Sequence, residues 1–334
     1  MPKMFAFMLS SLALCAGLCK PVFAEEPSNW TDNFKLGGYS SAGVTLHRDQ
    51  EAEAAVNQVS LILTWQNDSR LSFFGELELE RPLAWRDDQQ FSRKEGHFDL
   101  ERLYLDYNLS EKMNFRAGRF LTPNSRWNLL HAAPLVWTSS RPLATTGLFP
   151  TGTNGAMLFG ATPLMNGAFE YKLFAELLED QEKDGNEQQY EHVRGARISY
   201  KNQSDIGLSL LSFTEKADRS TSYRMLGLDF ITHVSAVEIS GEAFQRFKTN
   251  NTNGGSGAYL QSAVPLNTIG LQDWYWITRL ETFQRPDEGA AERWLVGATW
   301  RLKPMQLLKL EFTGGSGAQE ESPRGFAASF ALFF

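Results

Sequence analysis

The chain has 334 residues, of which 42% are hydrophobic, 21% charged and 13% aromatic, a composition that excludes a disordered tail or a low-complexity fibre. Thirty-nine acids against 32 bases give a formal charge of -7, which argues against a nucleic-acid binder with an overall basic face. Length alone does not separate two soluble domains from one large barrel.

Residues 1–24 have the pattern of a secretory signal: Lys3 near the start, an apolar run from Met4 to about Cys19, and Val22-Phe23-Ala24 at the cleavage position. The run is short of a membrane-spanning helix, and Lys20 and Pro21 end it. Leu14 before Cys15 and Leu18 before Cys19 do not suit lipidation. Both cysteines of the chain lie here, so a mature chain of residues 25–334 has none, and it keeps 30 bases against 39 acids. It contains no apolar window long enough for a helical span.

From Asn33 onward, apolar and polar residues alternate in segments of about 10 to 14 residues. Phe34, Leu36, Gly38, Ser40, Ala42, Val44 and Leu46 share one face of the first segment. Val59, Leu61, Leu63 and Trp65 do so in the second, and in the third Leu71, Phe73, Leu77 and Leu79 oppose Ser72, Glu76, Glu78 and Glu80. In the fourth, Leu103, Leu105, Tyr107 and Leu109 oppose Arg102, Tyr104, Asp106 and Asn108. The count reaches sixteen: 33–46, 55–66, 69–81, 97–109, 112–121, 151–162, 166–179, 190–201, 205–216, 222–232, 235–248, 256–265, 271–284, 292–303, 306–314 and 325–334. Even-numbered connections are turns, such as Asn67-Asp68-Ser69, Ser110-Glu111 and Pro304-Met305. Odd-numbered ones are long, above all 82–96, 122–150, 180–189 and 315–324.

That alternation of turns and loops, with an even strand number, predicts an all-β fold: a transmembrane antiparallel β-barrel of about 16 strands in the bacterial outer membrane. Hydrocarbon satisfies no backbone N–H or C=O, so a sheet crossing it must close on itself. Trp65, Trp274, Trp294, Trp300 and Tyr200 are placed to form girdles at the headgroup boundaries. The closing segment, with Phe326, Phe330, Leu332 and Phe334 on one face, resembles the C-terminal signal read by the barrel assembly machinery.

The stretch from Leu100 to Leu143, about an eighth of the chain, resembles the porins related to the phosphate-selective O and P type. The recognisable pieces are Glu101-Arg102, Arg116-x-Gly118-Arg119, Thr122-Pro123, Trp127-Asn128, His131, Pro134 and Arg141-Pro142. The resemblance implies a sixteen-stranded, usually trimeric, water-filled channel in which the third loop folds inward and narrows the pore. Phosphate-selective members cluster lysines at that constriction, and residues 122–150 contain no lysine.

The loop's own chemistry supports an inward fold. It is the longest connection and carries Leu129, Leu130, Ala132, Ala133, Leu135, Val136 and Trp137, which would be costly to expose at a cell surface. No acid occurs between Glu111 and Glu170, whereas Lys112, Arg116, Arg119, Arg126 and Arg141 do. Arg126, His131 and Arg141 are therefore the expected constriction. Arg102, Arg116, Arg119, Arg279, Glu76, Glu78 and Glu80 are the expected pore wall, and a cationic constriction lowers the cost of passing an anion. The competing reading is that the arginines pair with the opposing acids and brace the loop. Arg119 reaches the lumen only if Gly118 marks a bulge, which is the expectation here.

His131 reads as a packing or hydrogen-bonding residue rather than a metal ligand, since no second His or Cys stands at ligand spacing. Asp180-x-Glu182-x-Asp184-Gly185 followed by Glu191 nearly matches a calcium loop but lacks its expected residues at two positions, and it reads as an acidic surface loop. The five histidines are dispersed without a recognisable nucleophile. No cofactor, metal or catalytic residue is expected. The expectation is a passive porin for small hydrophilic solutes with a moderate anion preference, a homotrimer set in outer-membrane lipid and lipopolysaccharide. The alternatives are a plugged structural or adhesive barrel, or a hydrolase.

Overall fold

The computed structural model describes residues 33–334, apart from 49, 68, 88–90, 94, 180–188, 217–220, 286–288 and 318–322. The leader expected at 1–24 and the acidic stretch from Asp180 to Gln188 lie outside the described residues.

Sixteen strands form one closed antiparallel barrel in which each strand pairs with its neighbours in sequence and the first pairs with the last. They are β1 (Phe34–His47), β2 (Glu53–Gln66), β3 (Leu71–Arg86), β4 (His97–Ser110), β5 (Met113–Leu121), β6 (Gly152–Leu164), β7 (Gly167–Glu176), β8 (Tyr190–Lys201), β9 (Ser204–Glu215), β10 (Ser222–Val234), β11 (Val237–Lys248), β12 (Asn253–Pro265), β13 (Trp274–Gln284), β14 (Ala291–Lys303), β15 (Gln306–Ser316) and β16 (Gly325–Phe333). The seam closes through nine β1–β16 pairs, from Tyr39 opposite Phe333 to His47 opposite Gly325, and Gly38 and Phe334 exchange N–H···O bonds of 2.9 Å in both directions. No helix among the described residues is long and apolar enough to cross a membrane.

The side chains are sorted opposite to those of a water-soluble protein. On β13, Arg279 is 1% exposed, Leu280 64% and Glu281 6%. The same inversion puts Leu77 outside between the buried Glu76 and Glu78 of β3, and Leu208 and Leu210 outside on either side of the buried Ser209 of β9. Water would penalise such a surface, and hydrocarbon outside with a polar lumen inside favours it. Trp274 and Trp300 stack at 5.3 Å near the short-turn end, and Phe34 approaches Trp65 to 6.3 Å at the same end. Trp294 contacts Phe312 nearer the long-loop end.

Two departures from strict alternation matter for the lumen. Asn57 is left out of the pairing of β2 with both neighbours. Glu101 is left out where β4 pairs with β3, between Arg102 opposite Glu76 and Leu100 opposite Leu77. An unpaired residue of this kind shifts the alternation by one position, so that Phe98 and Leu100 face outward before Glu101, and Leu103 and Leu105 after it. β3 also runs to Arg86, five residues past its expected end at 81, because Leu83 to Arg86 pair with Glu53 to Val56 beyond the Asn57 bulge. The first residues of the connection expected at 82–96 are thus part of the strand.

Candidate functional site

The connection between β5 and β6, here L3, folds into the barrel. It contains a single helical turn, α1 (Arg126–Leu129), and 3₁₀ turns at Ala133–Leu135 and Leu143–Thr145. Ser125 caps α1, its Oγ accepting the Asn128 N–H at 3.0 Å. A segment this irregular cannot satisfy its own backbone, so the wall does so. The Trp127 N–H donates to Glu242 Oε1 at 2.6 Å, the Leu143 N–H to Glu281 Oε2 at 2.6 Å, and the Ser139 and Ser140 N–H groups to the two oxygens of Glu311 at 2.9 and 3.0 Å. These three carboxylates stand on β11, β13 and β15. Cations take the carbonyls: Lys309 Nζ donates to Ala133 O at 2.6 Å and Thr138 O at 3.1 Å, Arg279 to Ser140 O at 3.1 Å, and Arg293 to Arg141 O at 2.5 Å.

The second half of L3 is also packed. Leu143, Ala144, Leu148 and Phe149 join Phe120, Met157, Phe174, Phe213, Met225, Phe244 and Phe283 in an apolar cluster inside the barrel, with Phe149 and Phe244 centred 5.0 Å apart. The inward fold of the loop occurs as the sequence predicts, and the stretch 142–150 is largely buried. Leu135 stays 53% exposed. The apolar wall of β6–β14 lies beneath the later stretch, and burying apolar surface there carries the larger gain.

The expected site residues divide into two groups. His131 and Arg141 line a cavity of about 400 Å³ between L3 and the wall of β1–β4, β15 and β16, where Glu78, Glu80 and Glu101 also stand. The other arginines are bound to acids. Arg102 donates to Glu76 Oε2 at 2.5 Å, Arg116 binds both oxygens of Asp106 at 2.7 and 2.8 Å and stacks on Tyr104 at 3.6 Å, and Arg126 meets Asp205 at 3.3 Å. Arg279 lies beneath L3, paired with Glu281. The bulge expected at Gly118 does not occur: the register runs unbroken, with Gly118 opposite Tyr104 and Arg119 opposite Leu103. Arg119 therefore keeps the outward parity of Leu103 and reaches Asn154 at 3.3 Å instead of the lumen. The bulge that supplies a lumen charge is the one at Glu101.

The cavity thus carries charge of both signs on opposite sides. Arg141 holds Thr145 Oγ1 at 3.1 Å and Asn128 Oδ1 at 3.3 Å, and burial lowers its pKa from the usual guanidinium value. Burial likewise lowers the His131 pKa, so the ring is neutral near pH 7. Its Nδ1 lies 3.3 Å from Asn128 O, and since a carbonyl only accepts, Nδ1 carries the proton. Sequence reasoning missed Glu242, Glu281, Glu311, Arg293 and Lys309 as residues that hold the loop. The available signal was the repeated charge on the inward parity of β11 and β13–β15, facing the longest connection.

No family profile matches the chain. A stretch of 135 residues is 29% identical to an uncharacterized protein of Aquifex aeolicus (strain VF5), covering 39% of this chain and 30% of that protein, so the chain spans about a third of the length of the curated relative it matches. Among solved structures, OmpF of Salmonella typhi in complex with daunomycin superposes with a TM-score of 0.60 over 92% of this chain and 99% of that one, at 10% identity. An anion-selective porin from Comamonas acidovorans gives 0.58 over 90% and 98%, at 13% identity. The trimer form of OmpT, an outer membrane protein of Vibrio cholerae, gives 0.58 over 90% and 99%, at 9% identity. The chain shares the barrel fold of these outer-membrane proteins.

Proposed function

We propose that the protein is an outer-membrane porin, a water-filled channel through which small hydrophilic solutes diffuse passively. The observation that carries this reading is the inverted barrel itself, apolar outside and charged inside, with L3 docked to one wall and a charge-lined cavity left beside the other. Outer-membrane lipid and lipopolysaccharide are the surroundings that suit the apolar exterior. The final strand, whose Phe334 pairs with Gly38 at the seam, is the segment offered to the barrel assembly machinery. The trimer form of the OmpT neighbour supports a homotrimer.

The ion preference we propose differs from the one the loop composition suggests. Arg102, Arg116 and Arg126 are each neutralised by a carboxylate, and the cavity lining itself sets Arg141, Arg293 and Lys309 against Glu53, Glu78, Glu80, Glu101 and Glu311. Unlike charges on opposite walls set up a transverse field that orients polar solutes, and the excess of carboxylates leans the channel toward cations. The Comamonas neighbour is anion-selective, but that likeness concerns the barrel.

Planar-bilayer recording of the purified protein under a KCl gradient tests both statements. The expected result is stepwise conductance with a reversal potential on the cation side. A second reading, a plugged barrel, is favoured by the apolar cluster that fills the β6–β14 side of the lumen. A folded, inserted protein without conductance would establish that reading and end the first.

A further inference from the structure

We propose that Glu76 and Glu78 of β3 and His131 of L3 form a binding site for a divalent transition-metal ion, which ties the loop to the wall across the constriction. The three residues each bring one ligand atom into a group whose members lie within 4.8 Å of one another. Each is aimed by a neighbour that leaves a lone pair toward the group. His131 gives its Nδ1 proton to Asn128 O, which makes Nε2 the coordinating nitrogen. Arg102 holds Glu76 Oε2 at 2.5 Å, and Tyr39 and Ser60 donate their hydroxyls to Glu78 Oε2 at 3.0 and 2.5 Å. Such outer partners fix ligand orientation in metal sites.

Two of the inward atoms are unaccounted for. Glu76 has no exposed side-chain surface, yet its Oε1 has no hydrogen-bond partner among the described residues, and neither has the buried His131 Nε2. An unpaired buried carboxylate oxygen carries a desolvation cost that a bound cation removes. Were Nε2 protonated it would face an acceptor, but no hydrogen bond joins it to Glu76 Oε1. Bonds of about 2.0 to 2.2 Å from an ion to nitrogen and oxygen put neighbouring ligand atoms roughly 3 to 3.5 Å apart, so the group closes on an ion by about an ångström. An imidazole with two carboxylates suits zinc and its neighbours better than magnesium or calcium, which favour oxygen alone. Glu78 and His131 line the cavity, so the lumen is the route in, and the carboxylates of Glu80, Asp99 and Glu101 form a second group toward the long-loop end.

The site rests on the wall and loop geometry, not on the channel reading, so binding is measured apart from conductance. The mature protein in detergent, stripped with chelator, is dialysed to equilibrium against Zn²⁺ at pH 7.5, and heat-modifiable migration verifies a folded barrel in each variant. The expected result is one Zn²⁺ per chain, bound at least tenfold more weakly by His131→Ala and by Glu76→Gln, with Glu101→Gln unchanged. Should Glu76→Gln fail to fold, His131→Ala decides alone, being a loop substitution. Absence of binding by the wild type, undiminished affinity in His131→Ala, or a loss confined to Glu101→Gln would overturn the proposal.

Discussion

Arg279 and Glu281 stand two residues apart on β13, with Arg279 Nε 2.8 Å from Glu281 Oε1 and no exposed surface on either side chain. Arg293 of the next strand reaches the same oxygen at 2.8 Å, and the second oxygen takes the Leu143 N–H of L3. One carboxylate therefore compensates two buried guanidiniums and fixes the loop backbone. Glu281→Gln keeps the shape and removes the charge, leaving both guanidiniums without it; breaking a buried pair costs about 3–5 kcal/mol. The expected outcome is a lower temperature for the heat-modified mobility shift and noisier single-channel current as L3 loosens. A variant as heat-stable and as quiet as the wild type would show that the loop does not depend on this carboxylate.

The packing of L3 against β12 leaves no room at Gly257. A Cβ there would lie 2.8 Å from Ala144 Cα, inside the closest approach of real Cβ atoms, and a tight 3.0 Å from Ala144 Cβ. Gly257→Val is expected to lift the 142–150 stretch from the wall and change conductance while the barrel still forms, since the pairing of residue 257 with Phe244 and Phe283 is made by the backbone. Gly289→Ala, where the added carbon meets nothing within 4 Å, is the silent control. Equal single-channel conductance in the two variants would count against docking as the cause.

The strands were legible in the sequence because a lipid-facing sheet writes its period directly: one face must be apolar throughout, as in Leu77 between Glu76 and Glu78. Hydrophobic alternation cannot say where a register slips. The bulge occurs at Glu101, which no glycine announces, and not at Gly118, where the backbone takes a positive φ of 130° without disturbing the pairing. The inward loop was legible from its apolar content. Its docking partners were not, because the acids that hold it lie between about 115 and 172 residues further along the chain, at Glu242, Glu281 and Glu311. A count of arginines in the loop says nothing about partners so distant.

The charge pairing leads to a selectivity experiment with opposite expectations for two arginines. Arg126 is held by Asp205 and is absent from the cavity lining, so Arg126→Gln leaves the reversal potential within error of the wild type. Arg141 lines the cavity, and Arg141→Gln raises the cation preference by roughly twofold, of the order expected for a charge partly screened by electrolyte. Glu101→Gln shifts it the other way. If Arg126→Gln moves the potential and Arg141→Gln does not, the constriction lies elsewhere along L3.

Acid sensitivity is expected at the outer end of β3. Arg86 NH1 and Arg81 Nε bind the two oxygens of Glu95, both arginines also reach Glu53, and Ala84 and Ser92 exchange backbone hydrogen bonds beside them. The Arg86 hydrogen bond, with Arg81, holds the Glu95 carboxyl below its ordinary pKa. A depressed carboxylate pKa contributes stability above the unfolded value of roughly 4.3, and that contribution is lost as the pH falls through the folded value. The arginines keep their charge throughout, so the change comes from the acid alone. Residues 25–334 hold no cysteine, so a nitroxide on Ser92→Cys in a chain of those residues reports this hairpin without background. Its spectrum is expected to stay immobile from pH 7 to about 5 and to sharpen below about 4. Because the cluster is partly exposed, high salt should shift that onset upward, and an onset insensitive to both salt and Glu95→Gln would assign the mobility to some other group.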